Sequence, residues 1–113
     1  MVSKKDKSVL LHIIKHCNRV STLIKDLTYE QLLADQDKQE CVCFNILQIG
    51  ELCNVLSDEF ITKHSLIPWK DIINMRNRVV HKYDTVDYLV VYETSIRDVP
   101  DLKKFCSQVI EEN

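Results

Sequence analysis

Residues 41–60, CVCFNILQIGELCNVLSDEF, are apolar on most sides when wound as a helix. A helix of that kind has no solvent face wide enough for a surface position, so it belongs at the centre of a bundle. Its span is expected to begin near Asp37 and to run through Phe60. Gly50 in its middle would cost about 1 kcal/mol relative to alanine in an exposed helix. Close approach of a neighbouring element is the expected use of that glycine.

The flanking segments supply the neighbours. Leu10, Ile13, Cys17, Val20, Ile24 and Leu27 recur at steps of three and four, which marks a long amphipathic first helix over about residues 5–26. Thr28 suits the N-cap of a short helical piece, YEQLLAD, with Glu30 and Gln31 in its first turn. Pro68 fits the first turn of a further helix running to about Tyr83, because its missing N–H would be unpaired there anyway. After DTVD (residues 84–87) a last helix begins, with Leu89, Tyr92, Ile96 and Val99 on one stripe. Pro100 must kink or restart it, and Phe105, Val109 and Ile110 carry an apolar face towards the end. The expectation is an all-α fold: an antiparallel bundle of four long helices plus one short one, forming a single domain over residues 1–113. With one glycine and two prolines, the many turns of a β-sandwich or barrel are hard to supply.

No stretch is apolar for long enough to span a membrane, and the N-terminus lacks the marks of a secretory signal, so a cytoplasmic location is expected. The five cysteines, Cys17, Cys41, Cys43, Cys53 and Cys106, show no disulfide-framework spacing. Cys41 and Cys43 on one helix point about 200° apart, and no second CxxC or HxxxH completes a site. Buried free thiols are expected, with no metal centre and no cofactor.

The net charge of −2 argues against a protein that coats nucleic acid generically. Its distribution is uneven. Lys63, Lys70, Arg76, Arg78 and Lys82 stand against one acid, Asp71, so residues 63–82 carry +4 and the remainder −6. On a continuous helix from Trp69 to Tyr83, Trp69, Ile72, Ile73, Val79 and Val80 fall within roughly 60° of Arg76, and Tyr83 within about 20°. Arg76 is then centred on the inward stripe. An unpaired buried charge costs several kcal/mol, so a partner is required. That partner is either an internal carboxylate, with Glu51 the obvious one, or an external anion met in a groove or subunit interface. A phosphate suits the planar guanidinium fork.

Asn77 and His81 lie one turn apart on the border of that face. A histidine at such a border is commonly structural. Beside a phosphate-binding arginine it can also exchange protons with an RNA backbone, with a base for the 2′-OH and an acid for the leaving 5′-oxygen. One histidine cannot easily do both at once, and a two-fold dimer would bring two His81 side chains to one cleft.

These residues resemble a known family. RNRVVHKY (76–83) fits R-x4-H-x-Y, the signature of HepT-type toxins in the HEPN superfamily of helical ribonuclease domains. ILQIGELCNVLSDEF (46–60), IPWKDIINMRN (67–77) and YDTVDYLVVYETSIRDVPDLKK (83–104) look like the same family in the same order. The resemblance implies a homodimeric helical bundle with its active site at the interface, cleaving RNA without metal. Arg76 would stabilise the scissile phosphate, His81 would serve in acid–base catalysis, and Asn77 would orient the histidine or the substrate. It further implies a type VII toxin–antitoxin pair, in which a minimal nucleotidyltransferase antitoxin transfers AMP to Tyr83. An adenylyl group there would add bulk and negative charge about half a turn from His81. Tyr83 as a core aromatic is the alternative, and Tyr29, Tyr88 and Tyr92 are expected to pack. Two other readings stand beside the nuclease: a non-catalytic helical subunit that binds a nucleotidyltransferase or nucleotide, and an Arg76–Glu51 pair that only fixes the bundle.

Overall fold

In the computed structural model, residues 2–79 and 85–112 are described, with Arg76 described through its backbone alone. Eight helical segments occur in chain order among them: α1 (Lys4–Ile24), α2 (Tyr29–Leu33), α3 (Gln36–Val55), α4 (Asp58–Lys63), α5 (Trp69–Ile73), α6 (Met75–Val79), α7 (Tyr88–Ile96) and α8 (Asp98–Glu111). The fold is all-α, and no β-strand occurs among the described residues.

α1 and α3 form the spine. Asp6 of α1 meets Ser57, just beyond the end of α3, while His16 of α1 meets Asn45 in its middle. Rising numbers on one helix thus face falling numbers on the other, so the pair is antiparallel. Leu10, Ile13, Cys17 and Val20 of α1 are fully buried, as are Val42, Ile46, Ile49 and Cys53 of α3. α8 lies along α1 and contributes Leu102, Cys106 and Val109 to the same core.

The thiols of Cys17, Cys53 and Cys106 sit near one another where α1, α3 and α8 converge. Burial pushes Cys17 and Cys106 up to about 12, Cys43 up to about 11, and Cys53 higher still. They are free and packed as small apolar groups, and Cys41 alone is exposed.

Helix ends reflect local chemistry. Ser3 caps α1 by accepting from the Asp6 N–H at 3.0 Å. Thr28 and Gln31 form a reciprocal capping box at α2, each side chain bonding the other's backbone N–H. Asp35 caps α3 by accepting from the Lys38 N–H. Four differences from the sequence expectation stand out.

The central helix does not run through Phe60. It stops at Val55, and Ser57 starts α4 by accepting from the Phe60 N–H at 3.2 Å. The same hydroxyl donates to Asp6 Oδ2 at 2.6 Å and the Ser57 N–H donates to Oδ1 at 2.9 Å, so a buried carboxylate from α1 holds the break open. Pro68 precedes α5 as its N-cap residue rather than sitting in its first turn. The helix expected from Pro68 to Tyr83 is divided at Asn74, whose carbonyl accepts from the Asn77 N–H in a three-residue turn. Finally, α7 buries Val91, Thr94 and Ser95, while Leu89 and Ile96 are exposed and Tyr92 is half-buried. The inward hydroxyl of Ser95 is satisfied by its own helix, donating to the Val91 carbonyl at 2.7 Å, so short polar side chains can face inward and let α7 approach its neighbours. The bundle therefore has more, shorter pieces than four long helices and one short one. Pro100 lies in the first turn of α8, which restarts after Arg97 as expected.

Candidate active site

α5 and α6 carry the segment that leads to the R-x4-H-x-Y motif. Their position against α3 is set at Gly50, where an added Cβ would stand 3.1 Å from the Ile72 carbonyl oxygen and 3.5 Å from that of Ile73. The expected close approach at this glycine is thus met by the end of α5. The other end of α5 is tied through Trp69, whose indole N–H donates to the His64 carbonyl at 2.9 Å. Its ring joins Phe60, His64 and Phe105 in a cluster of edge-to-face and tilted rings with centroids 4.5–6.4 Å apart. α4, α5 and α8 meet there.

The turn at Asn74 changes the phase of α6 relative to α5. Met75 and Val79, one turn apart, are the inward pair of α6, at 3% and 0% exposure. The inward stripe of α6 is therefore centred between positions 75 and 79 and not on 76, as a continuous helix from Trp69 would have it. Asn77 is exposed on the opposite side, and Arg78 is exposed at the flank. Glu51, the carboxylate considered as an internal partner for Arg76, is itself exposed on α3. The side chain of Arg76, and all of His81 and Tyr83, lie outside the described residues.

The motif's far end is anchored. The Asp87 N–H donates to the Val79 carbonyl at 2.7 Å, so the chain that leaves α6 returns to it before entering α7. Asp87 also caps α7, its Oδ1 accepting from the Leu89 and Val90 N–H groups at 3.2 and 3.3 Å. The described chain on either side of residues 80–84 is thus joined by one backbone bond.

On the other side of α5 and α6 lies a groove of about 510 Å³, where Ile67, Ile72, Met75 and Leu102 form an apolar floor. Asp71, Arg78, Asp98 and Asp101 stand at its polar edge, and Arg78 reaches Asp98 at 3.9 Å across exposed surface. That long, solvated pair fixes little. The carboxylates make the groove a poor place for a phosphate.

Tyr92 and Tyr29 pack as expected, with ring centroids 5.9 Å apart, and the Tyr92 hydroxyl donates to the Leu27 carbonyl at 2.8 Å. Tyr88 is half-buried against the core. Among the described residues, no group of three His, Cys, Asp or Glu side chains is placed to hold a metal ion, and no helix is long and apolar enough to cross a membrane. Asn74 does not stand out as a helix stop from the apolar stripe around it, although an asparagine inside such a pattern is a usable signal for one.

Comparison with known proteins bears directly on the motif. Residues 13–109 match the HepT-like family, described as ribonuclease HepT-like. A "Putative RNase" of Caldanaerobacter subterraneus subsp. tengcongensis is 30% identical over 108 residues, covering 96% of each chain. A second "Putative RNase", of Methanocaldococcus jannaschii, is 31% identical over 104 residues, which is 91% of this chain and 95% of that one. A "Probable ribonuclease HepT" of Thermococcus cleftensis is 28% identical over 102 residues, covering 90% and 93%. No solved structure matches the chain significantly. With the family matched across almost the whole bundle and through the R-x4-H-x-Y segment, the chain belongs to the ribonuclease HepT-like family of the HEPN superfamily.

Proposed function

We propose that this protein is a metal-independent endoribonuclease, the toxin of a type VII toxin–antitoxin pair, acting as one unit over residues 1–113 in the cytoplasm. The observation that carries the reading is the family match over residues 13–109, which contains Arg76, Asn77, His81 and Tyr83 in the R-x4-H-x-Y spacing. Relatives named as RNases, matched along nearly their full length, support RNA as the substrate.

The side chains define the chemistry. A neutral His81 takes the proton of a ribose 2′-OH, and that oxygen attacks the adjacent phosphorus. A second, protonated His81 from the other protomer delivers a proton to the departing 5′-oxygen, leaving a 2′,3′-cyclic phosphate. Arg76 donates its paired N–H groups to the non-bridging oxygens, where negative charge grows in the phosphorane. Asn77, exposed on α6, orients histidine or substrate. The homodimer is required because each chain supplies one His81.

Silencing falls to a minimal nucleotidyltransferase antitoxin. The Tyr83 hydroxyl oxygen attacks the α-phosphate of ATP, pyrophosphate leaves, and the phenolic proton passes to solvent. The resulting AMP ester puts negative charge where the RNA backbone must lie.

Purified wild type, Arg76→Ala and His81→Ala, assayed on labelled RNA in the presence of EDTA, test the nuclease. Loss of about 10²-fold or more in either variant is expected, the usual scale of an acid–base group. A wild type that leaves RNA intact, or a His81→Ala variant that cuts at the same rate, overturns it. Mass spectrometry after co-expression with a nucleotidyltransferase encoded beside this gene tests the switch. AMP on Tyr83 is expected, and AMP only elsewhere, or none, removes that part.

A further inference from the structure

A second surface has the chemistry of an RNA contact, away from α5 and α6. α1 carries five cations, Lys4, Lys5, Lys7, Lys15 and Arg19, all exposed, and its one carboxylate, Asp6, is turned inward at 3% exposure. Lys15 and Arg19 are one turn apart on the same side of α1. Neither forms an ion pair among the described residues, although the chain as a whole is acidic. Even with Glu40 of α3 nearby, two neighbouring unpaired cations on a molecule of net charge −2 give a local positive site that the total conceals.

Beside them stands Phe44 of α3. It is 58% exposed, and among the described residues it is the one aromatic in the set of large apolar side chains left in solvent. Lys15, His16, Arg19, Glu40, Cys41 and Phe44 surround a shallow depression of about 410 Å³, with Asn45 at its base. Asn45 is 6% exposed and its amide is fixed at both ends. Its Nδ2 donates to the Cys41 carbonyl at 2.7 Å, which turns Oδ1 towards His16 Nδ1 at 2.8 Å. The oxygen can only accept, so His16 carries its proton on Nδ1. Nε2 has no partner among the described residues and is an acceptor in the neutral ring. The His16 ring in turn meets Phe44 edge-on, with centroids 6.5 Å apart. A ring with a free face, an oriented acceptor and two free cations thus share one depression.

We propose that this α1–α3 face binds single-stranded RNA, with a base stacked on Phe44, a base amino group or ribose hydroxyl donating to His16 Nε2, and phosphates paired with Lys15 and Arg19. Glu40, on the rim, disfavours a phosphate directly over it and leaves the Lys15–Arg19 side as the path of the backbone. Phe44 stands six residues before Gly50, about 9 Å along the axis of α3. Because α5 packs on the same helix at Gly50, the contact can hold a part of the strand away from the cut. The proposal rests on the reading of RNA as substrate, yet it concerns binding and not cleavage.

Fluorescence anisotropy with a labelled 12-nucleotide single-stranded RNA, of mixed sequence and bearing 2′-O-methyl groups to prevent cleavage, tests it. Phe44→Ala is expected to weaken binding about tenfold, the scale of one lost base–aromatic stack, and Phe44→Trp to restore it. Lys15→Glu together with Arg19→Glu should weaken it further and flatten its salt dependence by about two contacts. Phe44→Ala and the double variant should raise the KM of cleavage and leave kcat within about twofold. Unchanged binding in Phe44→Ala and in the double variant overturns the proposal, as does a wild type with no affinity for this RNA. A wild type that binds RNA but cuts none refutes the nuclease reading alone, since the anisotropy comparison still decides the contact. Sedimentation velocity covers the rival occupant: a smaller species in Phe44→Ala than in wild type would make this face a contact between copies of the chain, which also overturns it.

Discussion

Asp87 is bonded through its backbone to Val79, its N–H donating to the Val79 carbonyl at 2.7 Å, and through its side chain to the start of α7. One residue thus closes the segment after α6 and opens the next helix. The backbone bond survives any substitution except proline, whereas the cap depends on the carboxylate. Asp87→Ala is therefore expected to lower stability by about 1 kcal/mol, the usual loss for an N-cap aspartate. Asp87→Asn, with an equally good capping oxygen, should recover the capping part. Urea unfolding of the two variants measures this, and equal loss in both would show that the cap is not what Asp87 provides.

Gly50 sets how closely α5 can approach α3. A β-carbon there would stand 3.1 Å from the Ile72 carbonyl oxygen, a backbone atom that moves only with α5 itself. In Gly50→Ala the gain in helix propensity, about 1 kcal/mol, works against a displacement of a few tenths of an ångström. The net change should be small. Gly50→Val leaves no such balance: its further methyl groups meet the carbonyls of Ile72 and Ile73 and should cost about 1–3 kcal/mol, the range for overpacking. Thermal unfolding checks both, and a Gly50→Val variant as stable as wild type would mean that α5 can move away freely.

Asp6 makes the fold acid-sensitive. Burial by itself would raise its carboxyl, but hydrogen bonds from the Ser57 hydroxyl and N–H, and from Ser3, outweigh it and hold the group below the ordinary aspartate range. A carboxyl whose folded value lies below its unfolded one, about 3.9, stabilises fully above the unfolded value. That contribution is lost as pH falls through the folded value. Asp6→Asn should unfold more readily at neutral pH, by about 2 kcal/mol for charge-assisted bonds lost. It should also show a flatter decline of stability below pH 4. Parallel acid limbs for the two proteins in urea titrations from pH 2 to 7 would remove Asp6 from this role.

The parts legible in the sequence were those carried by side-chain type at fixed spacing. The stripe of α1, the N-cap at Thr28, the restart of α8 near Pro100 and the close approach at Gly50 all depend on residues acting within one or two turns. The errors came where a distant partner intervenes. Asp6 holds the break at Ser57 from 51 residues away, although the local pattern SDEF, a serine before two acids, is itself a usable N-cap signal. Of the expected stripe Leu89, Tyr92, Ile96 and Val99, Val99 is buried and Tyr92 half-buried, but Leu89 and Ile96 are exposed while Val91, Thr94 and Ser95 face inward. The candidate site was legible as a motif and a family. Its phase was legible only in part: Val79 is inward as expected, but the turn at Asn74 brings Met75 inward as well. The basic face of α1 was equally open to counting, but a small net charge hid it.

Thr94 is the residue where α7 gives up stability. It is 1% exposed, and its Oγ1 has no hydrogen-bond partner among the described residues, while Ser95 beside it is satisfied by Val91. A buried hydroxyl without a partner has lost its water and received nothing in exchange, a deficit of about 1–3 kcal/mol. Valine has nearly the same shape and no such requirement, and its branched side chain suits the rotamer that threonine already adopts in a helix. Thr94→Val should therefore raise stability by about 1 kcal/mol, read as a higher midpoint in urea at unchanged slope. Thr94→Ala controls for packing: it removes the same hydroxyl but leaves a gap, and should fall below Thr94→Val. A Thr94→Val variant less stable than wild type would mean that the hydroxyl finds a partner in solution, most simply a water held between α7 and its neighbours.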